Sequence, residues 1–223
     1  MQPAAAGTPK FPKLTGRVVD DAHVLSKGTV RALDDMLASY ENGTTNQVVV
    51  VTLPSLQGLE IEDFGYQLGR YWGIGQKGKN NGVLLIVAPT EHKVRIEVGY
   101  GLEGDLTDAI TSQIINGVIT PKFKTGDIEG GVFAGTENIL TVLGGHSIAV
   151  EQGGNIPAPL AILLIIVVLY ICIRYPSFAW FLFSNFASSS FRSGSSRVGG
   201  GFSNGGFSGG GGSFGGGGSS GSW

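Results

Sequence analysis

Apolar and polar positions alternate in short blocks along the first two thirds of the chain, and each block has a recognisable period. Arg17-Val18-Val19-Asp20-Asp21 reads as a short extended piece. Val30, Leu33, Met36, Leu37 and Tyr40 follow helical spacing, with Ser26 placed to cap the first turn and Asn42-Gly43 to stop the last. Gln47 to Leu53 is a continuous β-branched run, which suits a strand covered on both faces. Ile61, Phe64, Leu68 and Tyr71 mark a second amphipathic helix, and Gly73 to Gly82 a loop. Val83 to Ala88 is another buried strand. Lys93 to Val98 alternates like a strand with one wet face, and Ala88 to His92 joins the two as an antiparallel hairpin. Ala109, Ile110, Ile114, Ile115 and Val118 predict a helix that Pro121 ends, and a last helix spans 128–143, weakened by Gly130, Gly131 and Gly135. This order predicts an α/β layer sandwich with a mixed sheet over residues 14–145, long enough for one real core.

The flanks have a different texture. Residues 1–13 read as a flexible lead and 146–157 as a Gly/Pro-rich linker. Leu160 to Ile173 is 14 residues without a charge. With Ala158 upstream and the snorkelling Arg174 and interfacial Tyr175 downstream, it predicts a transmembrane segment over 158–175, short against the roughly 20 residues a bilayer asks for. Residues 176–187 hold the aromatic patch Phe178 to Phe186, read as interfacial, with a second short pass as the alternative. Residues 188–223 are almost all Gly and Ser, with Phe191, Phe202, Phe207, Phe214 and Trp223 spaced along them, and predict a disordered tail.

Charge sharpens this division. All 17 acidic residues lie at or before Glu151, whereas Arg174, Arg192 and Arg197 are the only charges beyond it. The positive-inside rule then places the tail in the cytoplasm and the acidic domain outside. No export signal precedes the domain, so either a leader was removed before Met1, which is the favoured expectation, or the domain is cytoplasmic. The acidic domain has no basic stripe for nucleic acid. The single Cys172 rules out an intramolecular disulfide and a Cys-based metal site.

Candidate chemistry concentrates in Gly99-Tyr100-Gly101-Leu102-Glu103-Gly104 through Asp108. The glycine spacing matches a dinucleotide fingerprint, but Glu103, Asp105 and Asp108 would oppose a pyrophosphate, so no dinucleotide is expected. The same acids suit a hard divalent cation, for which Asp20, Asp21, Asn80 and Asn81 are further oxygen donors. Asp105, Thr107 and Asp108 can instead be helix caps or dipole partners: Asp108 suits cap and ligand evenly, and Asp105 is expected as the cap. No Gly-x-Ser-x-Gly occurs, and His23, His92 and His146 share no local motif.

Several ordered blocks resemble the TPM-domain family, in its bacterial membrane-anchored form with a Gly/Ser-rich tail. They are Leu14 to Ala22 followed by Val24-Leu25-Ser26, then Asn80 to Leu85, Arg95 through Gly104 to Asp108, and Phe123 with Gly126-Asp127. The resemblance implies a three-layer α/β/α sandwich followed by a transmembrane helix and a disordered tail. By motif it implies that Asp20, Asn80, Glu103 and Asp108 bind Ca2+ or another divalent cation. Asn80 stands where the family usually has Asp, which removes a charge. Relatives assist photosystem II repair in the thylakoid lumen or accompany a receptor in animals, and a phosphatase activity has been proposed for the group. The expectation is a membrane-anchored, extracytoplasmic, cation-binding module that partners the bilayer and another membrane protein in assembly or quality control, with a weak metal-dependent phosphatase as the alternative.

Overall fold

The computed structural model describes residues 9–145 and 207–223, which fall in one compact unit. The expected linker, transmembrane and aromatic segments, and residues 188–206 of the tail, lie outside the described residues. Among the described residues no helix is long and apolar enough to cross a membrane.

Five strands form one mixed sheet in the order β1 (Val18–Asp20), β2 (Gln47–Thr52), β3 (Gly82–Ala88), β4 (Lys93–Gly99) and β5 (Phe214–Ser222). The first three are mutually parallel, and the last two pairings are antiparallel. The helices are α1 (Lys27–Thr44), α2 (Ile61–Trp72), α3 (Asp108–Ile114), α4 (Thr120–Lys124) and α5 (Ile128–Leu143). Because successive strand side chains point to opposite faces, β3 feeds two cores. Val83, Leu85 and Val87 join Leu33, Leu37, Ile114, Ile119 and Ile139 from α1, α3 and α5 and the segment between α3 and α4. Leu84, Ile86 and Ala88 join Phe64, Leu68 and Trp72 of α2 on the other face. The expected α/β sandwich with a mixed sheet is therefore present, with helices on both faces.

Local chemistry explains most boundaries. The Ser26 hydroxyl accepts the Thr29 N–H at 3.2 Å and starts α1, while Glu129 of α5 accepts the hydroxyls of Ser26 (2.7 Å) and Thr29. Helix α1 runs past the expected Asn42-Gly43 stop. Its final turn is held by the Arg17–Glu41 ion pair at 2.7 Å, and the chain leaves the helix at Thr45, which is left-handed at φ 67°. On α2 the inward position is Trp72, whose indole N–H donates to the Pro12 carbonyl at 2.9 Å, whereas Tyr71 is 68% exposed. That contact also corrects the reading of a wholly flexible lead: Phe11 packs edge-on against Phe64, with centroids 5.2 Å apart.

Three further expectations are corrected. Pro121 does not end its helix. Residues Ile115–Ile119 widen into a π-turn, and the chain continues into α4 with Pro121 in its first turn. The wider turn gives the ring room where a regular α-turn would set it against the carbonyl of Gly117. Strand β4 has no wet face, because Arg95 and Glu97 are 4% and 0% exposed beneath α2 and β5. The last part of the tail is not disordered: residues 214–222 pair with β4, from Lys93↔Ser222 to Gly99↔Phe214. Neighbouring strands hydrogen-bond to each other and cannot have a bilayer between them. A cytoplasmic tail under an extracytoplasmic domain is incompatible with this sheet.

The Ser26 cap links two helices, so Ser26→Ala is expected to lower unfolding free energy by about 1 kcal/mol, read as a lower urea midpoint at unchanged slope.

Candidate functional site

The four predicted ligands do not converge. Asp20 closes β1, where its partner Thr52 closes β2; Asn80 precedes β3, level with the start of β2 at Gln47. In parallel strands these are opposite ends, separated by the five residue steps from Gln47 to Thr52, about 17 Å. The Asp20 carboxylate is also engaged. It accepts the N–H groups of Val24 and Leu25, each at 3.1 Å, and the Thr52 hydroxyl at 2.5 Å. It lines a cleft with His23, Leu25, Val30 and the cations Lys27 and Arg31. This carboxylate organises the turn into α1.

Asn80, Glu103 and Asp108 all lie at the other end, beside β5. Asn80 is left-handed at φ 50°, and its side-chain carbonyl accepts the Ser213 N–H at 3.1 Å. Asp108 opens α3, whose cap is Thr107, not Asp105; Oδ1 of Asp108 accepts the Gly218 N–H at 2.7 Å. Glu103 flanks the adjoining residue, its Oε1 lying 2.6 Å from where a Cβ on Gly217 would stand. Two carboxylates thus meet at one dipeptide of the edge strand. Asn81, by contrast, is structural: its amide donates to the Thr45 carbonyl (2.9 Å) and to Asn46 (3.1 Å). Among the described residues no three His, Cys, Asp or Glu side chains are grouped for a metal.

The glycine motif has a packing role. A Cβ on Gly99 would lie 3.0 Å from the Gly82 carbonyl oxygen and closer still to that of Asn80, and one on Gly101 would run into the Lys79 carbonyl; the Gly101 N–H donates to the Asn80 carbonyl at 3.1 Å. These glycines let the turn after β4 lie against the loop before β3.

Charges that periodicity assigned to solvent lie at the β4–β5 seam. Arg95 and Glu97 form a buried ion pair. Arg95 also donates to the Ser220 hydroxyl and to the Gly216 carbonyl, both at 2.9 Å. Burial pushes the Glu97 carboxyl above its ordinary value of 4.5, against the opposing pull of Arg95 and of the Gly216 N–H, and its Oε1 has no partner among the described residues. Burial also acts upward on Glu62, but hydrogen bonds from Ser220 and its own backbone, with the charges of Arg95 and Lys93, hold it below the ordinary range. The one signal in the sequence is that Arg95 and Glu97 share a face of a strand whose tail partner is remote.

The arrangement defines a class: an α/β/α sandwich with acidic loop residues at the end of a mixed sheet. The chain belongs to the TPM domain family, whose profile matches residues 18–142. Among solved structures, the N-terminal domain of a protein from P. gingivalis is 36% identical over 59% of this chain and 83% of its own, with a TM-score of 0.55. The N-terminal domain of the cg2496 protein from Corynebacterium glutamicum is 20% identical, over 66% and 88%, at 0.46. The BA42 protein from the psychrophilic bacterium Bizionia argentinensis is 20% identical, over 55% and 83%, at 0.49. No curated protein matches.

A raised Glu97 has a definite consequence for stability. Its contribution is fully present below pH 4.5 and is lost as pH rises through the elevated folded value. Gln mimics the protonated form at every pH. The melting temperature of Glu97→Gln should therefore match the parent near pH 4 and exceed it increasingly towards pH 8.

Proposed function

We propose that this protein is a membrane-anchored, extracytoplasmic member of the TPM domain family that binds a divalent cation, Ca2+ before Mg2+, and serves as a non-catalytic module for assembly or quality control of a membrane-protein partner. The observation that supports it most is the meeting of Glu103 and Asp108 at Gly217–Gly218. Two carboxylates at one point, with loop carbonyls and water, suit an ion that takes six to eight oxygens in irregular geometry. Mg2+ demands an octahedron and keeps its own waters, so it fits this open arrangement less well. Asn80 offers an amide oxygen nearby on the same strand edge.

The uncharged Leu160–Ile173 run, with the Phe178–Phe186 patch as the second short pass, supports the anchor, and the acidic character of the domain supports an extracytoplasmic cation-rich setting. With β5 in the sheet, the C-terminus belongs on the domain's side of that membrane. Asp20, committed to two backbone amides and a hydroxyl, is left out of the proposed ligand set and acts as a turn residue.

The test is a Ca2+ titration of the full chain followed by melting temperature and by NMR shifts of the 99–108 amides. The expected result is a saturable rise that Glu103→Gln and Asp108→Asn each abolish and that Mg2+ reproduces weakly. Asp20→Asn should instead lower stability by about 1–3 kcal/mol while leaving the Ca2+-induced rise in place. Absence of any response to millimolar Ca2+, or a response lost in Asp20→Asn and kept in Glu103→Gln, would overturn the assignment.

A further inference from the structure

The family profile ends at residue 142, yet the sheet is finished by a strand that begins at Phe214. The partner of β4 therefore comes from outside the family domain, and the surface it meets is shaped for it in detail. Phe214 is fully buried, lying over Gly69 of α2; a Cβ there would come within 2.8 Å of its ring. Arg70 donates to the Phe214 carbonyl at 3.2 Å. Gly216 and Gly218 have φ values of 90° and 113°, which side chains rarely adopt. A Cβ on Gly217 would meet Glu103, and one on Gly215 would lie 2.6 Å from the Tyr100 hydroxyl. Downstream, Ser220 receives Arg95, and Trp223 rests on Phe123 and His92 at 4.4 and 5.5 Å between centroids.

Main-chain pairing with a sheet edge supplies affinity in strand addition, and pockets for particular side chains supply selectivity. Here the pockets select for absence as well as presence. Small residues are required over Glu103 and Tyr100, and an aromatic is required at each end. The buried Arg95–Glu97 pair adds a polar reading head in the middle.

We infer that the β4 edge is a peptide-binding site selective for a glycine-rich strand bracketed by Phe and Trp, and that its occupant is the chain's own 214–223 segment, seated in cis. The seated strand covers Asp108, so the site and the carboxylates of the cation reading are neighbours, but peptide recognition stands without the cation. Domain and C-terminal segment consequently face the same compartment.

Register makes this testable in the full chain. In a Cys172→Ser background, Lys93→Cys and Ser222→Cys place two thiols on directly opposed residues, within disulfide reach. Mild oxidation should yield an intramolecular, monomeric disulfide about ten-fold faster than the control pair Lys93→Cys with Ser208→Cys. Adding Gly217→Val or Gly218→Val should suppress the cross-link, while amide protection of β2 and β3 reports that the domain remains folded. Equal rates for the two pairs, or undiminished cross-linking in the valine variants, would overturn the selective site. A disulfide found only between two copies would overturn seating in cis.

Discussion

The edge of β4 that faces away from β3 is the constraint on which the remaining arrangement depends. An open strand edge leaves backbone donors and acceptors unpaired and invites other chains. Here the edge also carries a guanidinium and a carboxylate turned under α2. Charges removed from water are tolerable only when paired and hydrogen-bonded. Strand β5 supplies both needs at once. Its backbone completes the ladder, the Gly216 carbonyl and Ser220 hydroxyl satisfy Arg95, and its Phe214 fills the space that Gly69 leaves open on α2. Glu97 remains the least comfortable member, because burial pushes its carboxyl above the ordinary value against the pull of Arg95.

Glycine plays two opposite parts in the molecule. In the domain, Gly99 and Gly101 bring two loops into backbone contact, and Gly65 and Gly69 let the opposite sheet face approach α2. In the C-terminal strand the glycines are what a snug acceptor demands: positive φ at some positions and missing side chains at others. A composition that signals disorder in isolation thus becomes a shape that only one edge accepts. The entropy of ordering such a segment is large. It is offset by main-chain pairing with β4, by the buried Phe214 and by the half-buried Trp223.

The acidic residues divide according to topology. A carboxylate after β1 and an amide before β3 cannot share an ion when their strands are parallel, because the sheet's length stands between them. Asp20 therefore does the work of a turn, accepting two N–H groups and the Thr52 hydroxyl. Glu103 and Asp108 follow β4, which is antiparallel to β3, and that reversal brings them to the Asn80 end. The family's motif residues are thus distributed between two ends of the sheet.

Periodicity and punctuation within each segment determined the element order, the buried strands β2 and β3, the hairpin, the Ser26 cap and the final helix. These are local consequences of side-chain spacing and backbone preference, visible within a dozen residues. Pro121 misled for a local reason too, since a π-turn leaves no mark in the spacing. Tertiary structure alone decided the partner of β4, the burial of Arg95 and Glu97, and which acids meet. Each of these depends on segments far apart in the chain finding complementary surfaces, and an alternating strand looks the same whether water or another strand covers its polar side.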